Sequence, residues 1–344
     1  MQKVDFSDVK PVIFSCEGLA LSDAEKNFFA HEKPLGFILF GRNVETPKQV
    51  SKLATDFRQA VGRPDAPVLV DQEGGRVQRL KAPHWYKAPS FGTLGAIYNL
   101  DPDKGRRAVS LATRLIAVDL TAVGISVNCS PCLDLSLAET SSVIGDRSFS
   151  EKPEIVAELA TIVCDEYIKA GIAPVIKHLP GHGRGAVDSH IELPTVDASM
   201  EELLTSDFVP FKQLSHMSWG MTAHIVFEAI DPEYPATQSS KVIEDIIRGE
   251  IGFDGVLLTD DLNMNALSGT LGHRAKLAQE AGIDILLHCS GKLDEMREVA
   301  AACSPITDEI IRRIETGPSA IAPVSTEAEI DQMKEELAEL LALV

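Results

Sequence analysis

The sequence predicts an α/β protein built as a single-domain (β/α)8 TIM barrel, residues 1–344, with a C-terminal helix. Three observations carry this expectation. Eight short apolar runs recur along the chain, the segments between them have helical periodicity, and no Gly-x-Gly-x-x-Gly follows the first run. Eight alternating strands and helices are the pattern of a closed parallel barrel, and the missing glycine fingerprint counts against a doubly wound open sheet.

The runs are PVIFSC (11–16), GFILF (36–40), PVLVD (67–71), ISVNCSP (125–131), APVIKH (173–178), GMTAHIVF (220–227), GVLLTDD (255–261) and DILLHCS (284–290). Each is bounded by Gly, Pro or a polar residue, as strands buried on both faces are. Between them, residues 103–122 and 151–170 space their apolar side chains at three and four, which gives a helix one apolar face. Ser22 and Ser199 read as helix N-caps, the second with Glu202 three positions on. Gly124 and Gly171 stand where left-handed C-terminal caps are expected. Residues 325–344 read as a last amphipathic helix packed on the barrel.

Composition narrows the function. The chain has 344 residues, with 51 acidic and 32 basic side chains and a formal charge of -19. A nucleic-acid partner needs clustered cations, so none is expected, and an anionic membrane surface is disfavoured for the same reason. The N-terminus MQKVDFSDVKPVIFSCEG has no long apolar stretch behind a basic start, and no run of 18 apolar residues occurs. A cytoplasmic protein with neither leader nor membrane span is expected. The cysteines Cys16, Cys129, Cys132, Cys164, Cys289 and Cys303 fall largely in apolar runs, which suits reduced buried thiols rather than a disulfide frame. Cys129 and Cys132 form one C-x-x-C, with no second pair to complete a zinc site.

A barrel carries its site at the C-terminal ends of its strands. The third run ends in VDQEGGRVQR, with Asp71, Glu73, Arg76 and Arg79. Beyond the fourth lies VIGDRSF, with Arg147. The fifth opens into KHLPGHGRGAVDSH, with Lys177, His178, His182, Asp188 and His190. The sixth brings His224, and the seventh ends in LLTDDLNM, with Asp260 and Asp261. Simpler roles stand beside these. Gly74 and Gly75 suit a turn, Asp261 a cap for the next helix, His182 a hydrogen-bonded loop scaffold and His224 a satisfied interior histidine. His178, His182, Asp188 and His190 could ligate zinc, but their spacing matches no H-E-x-x-H pattern, so neither metal nor other cofactor is expected.

KHLPGHG followed by DSH, with VDQEGGRVQR upstream and LLTDDLNM downstream, resembles the family 3 glycoside hydrolases. Within them it is most similar to the bacterial β-N-acetylglucosaminidases of cell-wall recycling. Leu179 stands where that family usually has Phe. The resemblance runs over most of the chain and implies a (β/α)8 fold and hydrolysis of a terminal N-acetylglucosamine. It implies a small-molecule substrate, N-acetylglucosamine β-1,4-linked to 1,6-anhydro-N-acetylmuramic acid with or without its peptide, and a monomer is expected. Carried over residue by residue, Asp260 matches the nucleophile, His190 the general acid/base and Asp188 the carboxylate that pairs with it. Asp71, Arg79, Arg147, Lys177 and His178 match positions that bind the sugar.

The chemistry is coherent. Most retaining glycosidases pair an attacking carboxylate with a second carboxyl that gives and takes the proton. Here the second group is a histidine, whose unperturbed pKa of about 6.5 suits both directions. Asp188 would fix its tautomer. Gly181, Gly183 and Gly185 would let the loop close over sugar, and cations such as Lys177 would keep Asp260 ionised. The alternatives are a phosphorylase using the same residues, a non-catalytic sugar-binding barrel and a metal-dependent hydrolase.

Overall fold

The computed structural model describes residues 6, 8–137, 144–185, 193–316 and 325–344. Eight strands form a closed, all-parallel barrel: Lys10–Phe14, Pro34–Leu39, Val68–Val70, Val127–Asn128, Ala173–Leu179, Trp219–Thr222, Val256–Asp261 and Ile285–Leu287. They neighbour one another in sequence order, and the last pairs with the first at Val12–Leu286 and Ile13–Leu287. The (β/α)8 barrel read from the sequence is the observed fold.

Alternation along each strand sorts the core into two layers. Ile13, Ile38, Leu69, Val127, Val175, Met221, Leu258 and Leu287 pack together inside the barrel. Their neighbours Val12, Phe14, Phe37, Val68, Val70, Ile176, Leu257 and Leu286 belong to the layer between barrel and helices. A run apolar on both faces is therefore what each strand requires.

The helix signals behave as read. Ser22 and Ser199 each form a capping box, with Glu25 and Glu202. The long helices are Pro102–Ala122 and Pro153–Lys169, followed by Gly124 at φ 79° and Gly171 at φ 72°. The terminal helix Glu327–Leu341 packs on Pro102–Ala122, burying Met333 and Leu337. Helix Asp308–Glu315 puts Ile310 into the inner layer beside Phe6 and Val9, and its Arg313 pairs with Asp284 just ahead of the eighth strand. The N-terminal end of the barrel is thus plugged, and the site belongs to the other end.

Several runs are shorter as strands than the sequence suggests, and two of them have a visible cause. After Asn128 the chain turns at Ser130–Pro131, where proline has no N–H to donate to a ladder. The sixth strand stops at Thr222, and Val226–Phe227 pairs instead with Thr195–Val196 in a separate ribbon. Gly74 and Gly75 make the tight turn of a second ribbon, Gln72–Gly74 with Val77–Gln78. A Cβ at Gly74, whose φ is 104°, would lie 2.2 Å from the Pro89 carbonyl oxygen, so only glycine fits.

Candidate active site

The C-terminal strand ends carry a chain of alternating charges. From the fifth strand, the Lys177 Nζ donates to Asp71 at 3.0 Å and to Glu73 at 2.7 Å. Arg79 donates to the other Asp71 oxygen at 3.0 Å. Arg147 grips Glu73 with both arms of its fork, at 2.9 and 2.8 Å. The order is Arg147–Glu73–Lys177–Asp71–Arg79, with Glu73 and Lys177 sealed from solvent and the outer members reaching it. Burial alone would raise the Glu73 carboxyl, but Arg147 and Lys177 outweigh it and hold the group down to about 2. Asp71 is driven the same way, well below the usual carboxylate range, by Lys177 and Arg79 against burial. The opposed carboxylates push Lys177 upward despite burial, so its charge is permanent at neutral pH.

Asp260 is the next-to-last residue of the seventh strand and is half-buried. Its Oδ1 accepts the Asp261 N–H at 2.8 Å. Burial opposes its ionisation, but His178, His224, that N–H and Lys177 together bring its pKa below the ordinary value. Lys177, the cation foreseen as help for Asp260, is among these groups.

Asp261 does not cap the next helix, as the sequence reading had it; Thr270 does. Asp261 Oδ1 accepts from Asn263 N and Cys289 N, each at 3.1 Å, and so ties the seventh strand's exit to the eighth. Burial, joined by the neighbouring Asp260 charge, raises its carboxyl to about 6 against the N–H groups of Asn263 and Cys289. The two aspartates thus have opposite settings, Asp260 ionised and Asp261 inclined to hold a proton. His224 is a satisfied interior histidine: Nδ1 lies 2.7 Å from Thr237 Oγ1, and Nε2 lies 3.1 Å from the Asp261 carbonyl oxygen. A carbonyl only accepts, so Nε2 carries the proton.

One member went unrecognised in the sequence. Beyond the fourth strand the chain stays beside the fifth: Leu133 N donates to Lys177 O, and Cys132 pairs with Lys177 in a lone parallel bridge. That register sets Asp134 against His178, and Asp134 Oδ2 lies 2.6 Å from His178 Nδ1. Asp134 Oδ1 also accepts the His182 N–H at 2.6 Å, so His182 is loop scaffold, and burial lowers its ring to a pKa of about 4. Phe40, at the second strand's end, was also missed; Arg79 stacks over its ring at 5.4 Å and Arg42 at 5.1 Å. The polar strand-end rule pointed to SPCLDLSL as much as to VIGDRSF.

Among the described residues, Cys132, Asp134 and His178 bring donor atoms within 4.8 Å of one another, a set that a soft divalent cation could use. Here they satisfy one another, since Cys132 Sγ–H also donates to Asp134 at 3.2 Å. Of the zinc ligands weighed from sequence, His178 alone is in that group. Asp188 and His190, the expected acid/base pair, lie outside the described residues. Gly183, thought of as a hinge, has a packing reason as well: a Cβ there would lie 2.7 Å from the Leu135 carbonyl oxygen. All six cysteines are free. No helix among the described residues is long and apolar enough to cross a membrane.

A family model described as the glycosyl hydrolase family 3 N-terminal domain matches residues 3–318. A β-hexosaminidase of Alkalilimnicola ehrlichii is 41% identical over 284 residues, covering 81% of this chain and 80% of that protein. The structure of NagZ from Neisseria gonorrhoeae, in complex with N-trifluoroacetyl-D-glucosamine, superposes with a TM-score of 0.88 at 32% identity, covering 98% of this chain and 100% of that one. A family 3 β-N-acetylglucosaminidase from Paenibacillus superposes with a TM-score of 0.79 at 33% identity, over 96% of this chain and 60% of that one.

Proposed function

The chain belongs to glycosyl hydrolase family 3, and from that premise we propose that this glycoside hydrolase is a retaining exo-β-N-acetylglucosaminidase acting through a glycosyl-Asp260 intermediate. The observation that carries the proposal is Asp260 itself. It is a half-buried carboxylate near a strand end, its ionised form favoured by its neighbours, Lys177 of the charge chain among them.

In this reading Asp260 attacks the anomeric carbon while His190, oriented by Asp188, protonates the leaving oxygen. His190 then takes a proton from water, and the glycosyl-aspartate is hydrolysed with net retention. Asp71, Arg79, Arg147, Lys177 and His178 bind the terminal sugar. Because Lys177 is already shared between two carboxylates, its part is to set their positions and to offer its remaining N–H. Arg147 and Arg79, at the ends of the charge chain, have the greater exposure.

The substrate we propose is N-acetylglucosamine β-1,4-linked to 1,6-anhydro-N-acetylmuramic acid, with or without its peptide, in cytoplasmic peptidoglycan recycling. The β-hexosaminidase and N-acetylglucosaminidase relatives support the glycone half of that proposal. We read residues 1–344 as one catalytic domain that works as a monomer without a cofactor. No observation favours the phosphorylase alternative.

The test is an assay with 4-nitrophenyl β-N-acetylglucosaminide, with and without phosphate, beside Asp260→Ala and His190→Ala. Release of β-N-acetylglucosamine by wild type, with loss in Asp260→Ala, supports the reading. Loss in His190→Ala should be deepest on poor leaving groups. First-formed α-anomer, or sugar 1-phosphate in phosphate buffer, would overturn it.

A further inference from the structure

Asp134 sits on the floor of the barrel mouth with essentially no exposure. Four donors converge on its carboxylate: His178 Nδ1 at 2.6 Å, His178 N at 3.3 Å, His182 N at 2.6 Å and Cys132 Sγ at 3.2 Å. Neither oxygen is left for solute. An ionised carboxylate only accepts, so the His178 proton facing it is on Nδ1. The other ring nitrogen, Nε2, is then unprotonated in the neutral ring and presents an acceptor.

We propose that Asp134 is a positioning residue with two jobs: it holds His178 in the Nδ1–H tautomer, and it anchors the chain just past the fifth strand through the His182 N–H. The first job decides whether His178 accepts or donates toward a sugar hydroxyl. The second fixes the course of the chain at His182, just past the fifth strand. The proposal rests on the glycosidase reading for its consequence, since that reading has His178 hold the sugar. Its structural content, the tautomer, does not depend on substrate. Asp134 touches no substrate in this view and works only through the groups it binds.

Asn at 134 separates the two jobs. The Asn oxygen can still accept the His178 and His182 backbone N–H groups. Its amide nitrogen, in place of Oδ2, would donate to His178 Nδ1 and force the proton onto Nε2. Ala at 134 would lose both jobs. A merely structural carboxylate would give parallel losses of thermal stability and activity in the two variants.

The experiment is nitrogen NMR of 15N-histidine-labelled protein, with the His178 signal assigned by its absence in His178→Gln. It is paired with kcat/KM and thermal unfolding of wild type, Asp134→Asn and Asp134→Ala. Wild type is expected to show the Nδ1–H tautomer and Asp134→Asn the Nε2–H tautomer. Asp134→Asn should stay folded and lose kcat/KM on the order of 10- to 100-fold, by analogy with removing the hydrogen-bond partner of a metal-ligating histidine. Asp134→Ala should lose thermal stability as well. Wild-type His178 in the Nε2–H tautomer would overturn the proposal even if no variant folds. So would unchanged kcat/KM in an Asp134→Asn variant whose tautomer has flipped. If wild type shows the Nδ1–H tautomer but has no glycosidase activity, the functional reading fails while the tautomer assignment stands.

Discussion

Lys177 and Glu73 are joined by a 2.7 Å ion pair in which neither side chain is more than 2% exposed. A buried pair of this kind is costly to break from one side, because the remaining charge is left without partner or water. Among the described residues Glu73 pairs with both Lys177 and Arg147, so its loss leaves Lys177 with Asp71 and takes from Arg147 its two-armed partner.

Glu73→Ala is accordingly expected to destabilise the protein by about 3–5 kcal/mol, with Glu73→Gln milder because it keeps an acceptor. Urea unfolding followed by circular dichroism measures this. A loss below about 1 kcal/mol for the alanine variant would show that the charge chain does not hold this end of the barrel together.

The setting of Asp260 fixes a sign for the pH profile. A carboxyl with a depressed pKa is ionised above that value and loses its charge only as pH falls through it. The acidic limb of kcat/KM, which reports the free nucleophile, is expected below the ordinary aspartate value of about 3.9. With His190 as the acid, kcat/KM should rise as pH falls from neutrality through the histidine range and then stay level down to about pH 5. An acidic limb near pH 6 would mean that burial, not the surrounding cations, governs Asp260.

Stability should fall with acid for a different reason. His182 and His288 are both buried, and desolvation lowers each to about 4. The unfolded chain takes up a proton near its ordinary value of about 6.5 while the folded chain does not. Their contribution is complete above that value and is lost as pH falls toward 4. Each can impose a slope of about 1.4 kcal/mol per pH unit across the window. His288, with Nε2 on Ser290 Oγ at 2.9 Å and its edge on Phe14, is the cleaner test because it lies off the charge chain. In His288→Leu, denaturant titrations at several pH values should give a slope shallower by up to one proton. An unchanged slope would remove His288 from the account of acid lability.

Much of this was legible in the sequence for a simple reason. Barrel strands such as Val256–Asp261 are buried on both faces until their last two residues, so they write themselves as unbroken apolar runs ending in polar side chains. Caps are equally local: Ser22 and Glu25 need nothing beyond four residues. What stayed hidden depends on distant pairing. Asp134 gains its meaning from the Cys132–Lys177 bridge, a contact across 45 positions that no local pattern announces. Asp261 looked like a cap because the following turn is polar, yet its second partner, Cys289 N, is 28 positions away. The GMTAHIVF run stayed apolar past Thr222 because Val226 and Phe227 are buried in another sheet, and hydropathy does not say which sheet.

The most direct test of the nucleophile is to trap the intermediate. An activated 5-fluoro-N-acetylglucosaminyl fluoride should glycosylate the enzyme and then turn over slowly, and peptide mass spectrometry should place the added sugar on the peptide containing Asp260, with none on Asp261. The absence of any adduct during demonstrable turnover, or an adduct on another carboxylate, would contradict the assignment. Retention without an adduct would instead point to attack by the substrate's own acetamide oxygen.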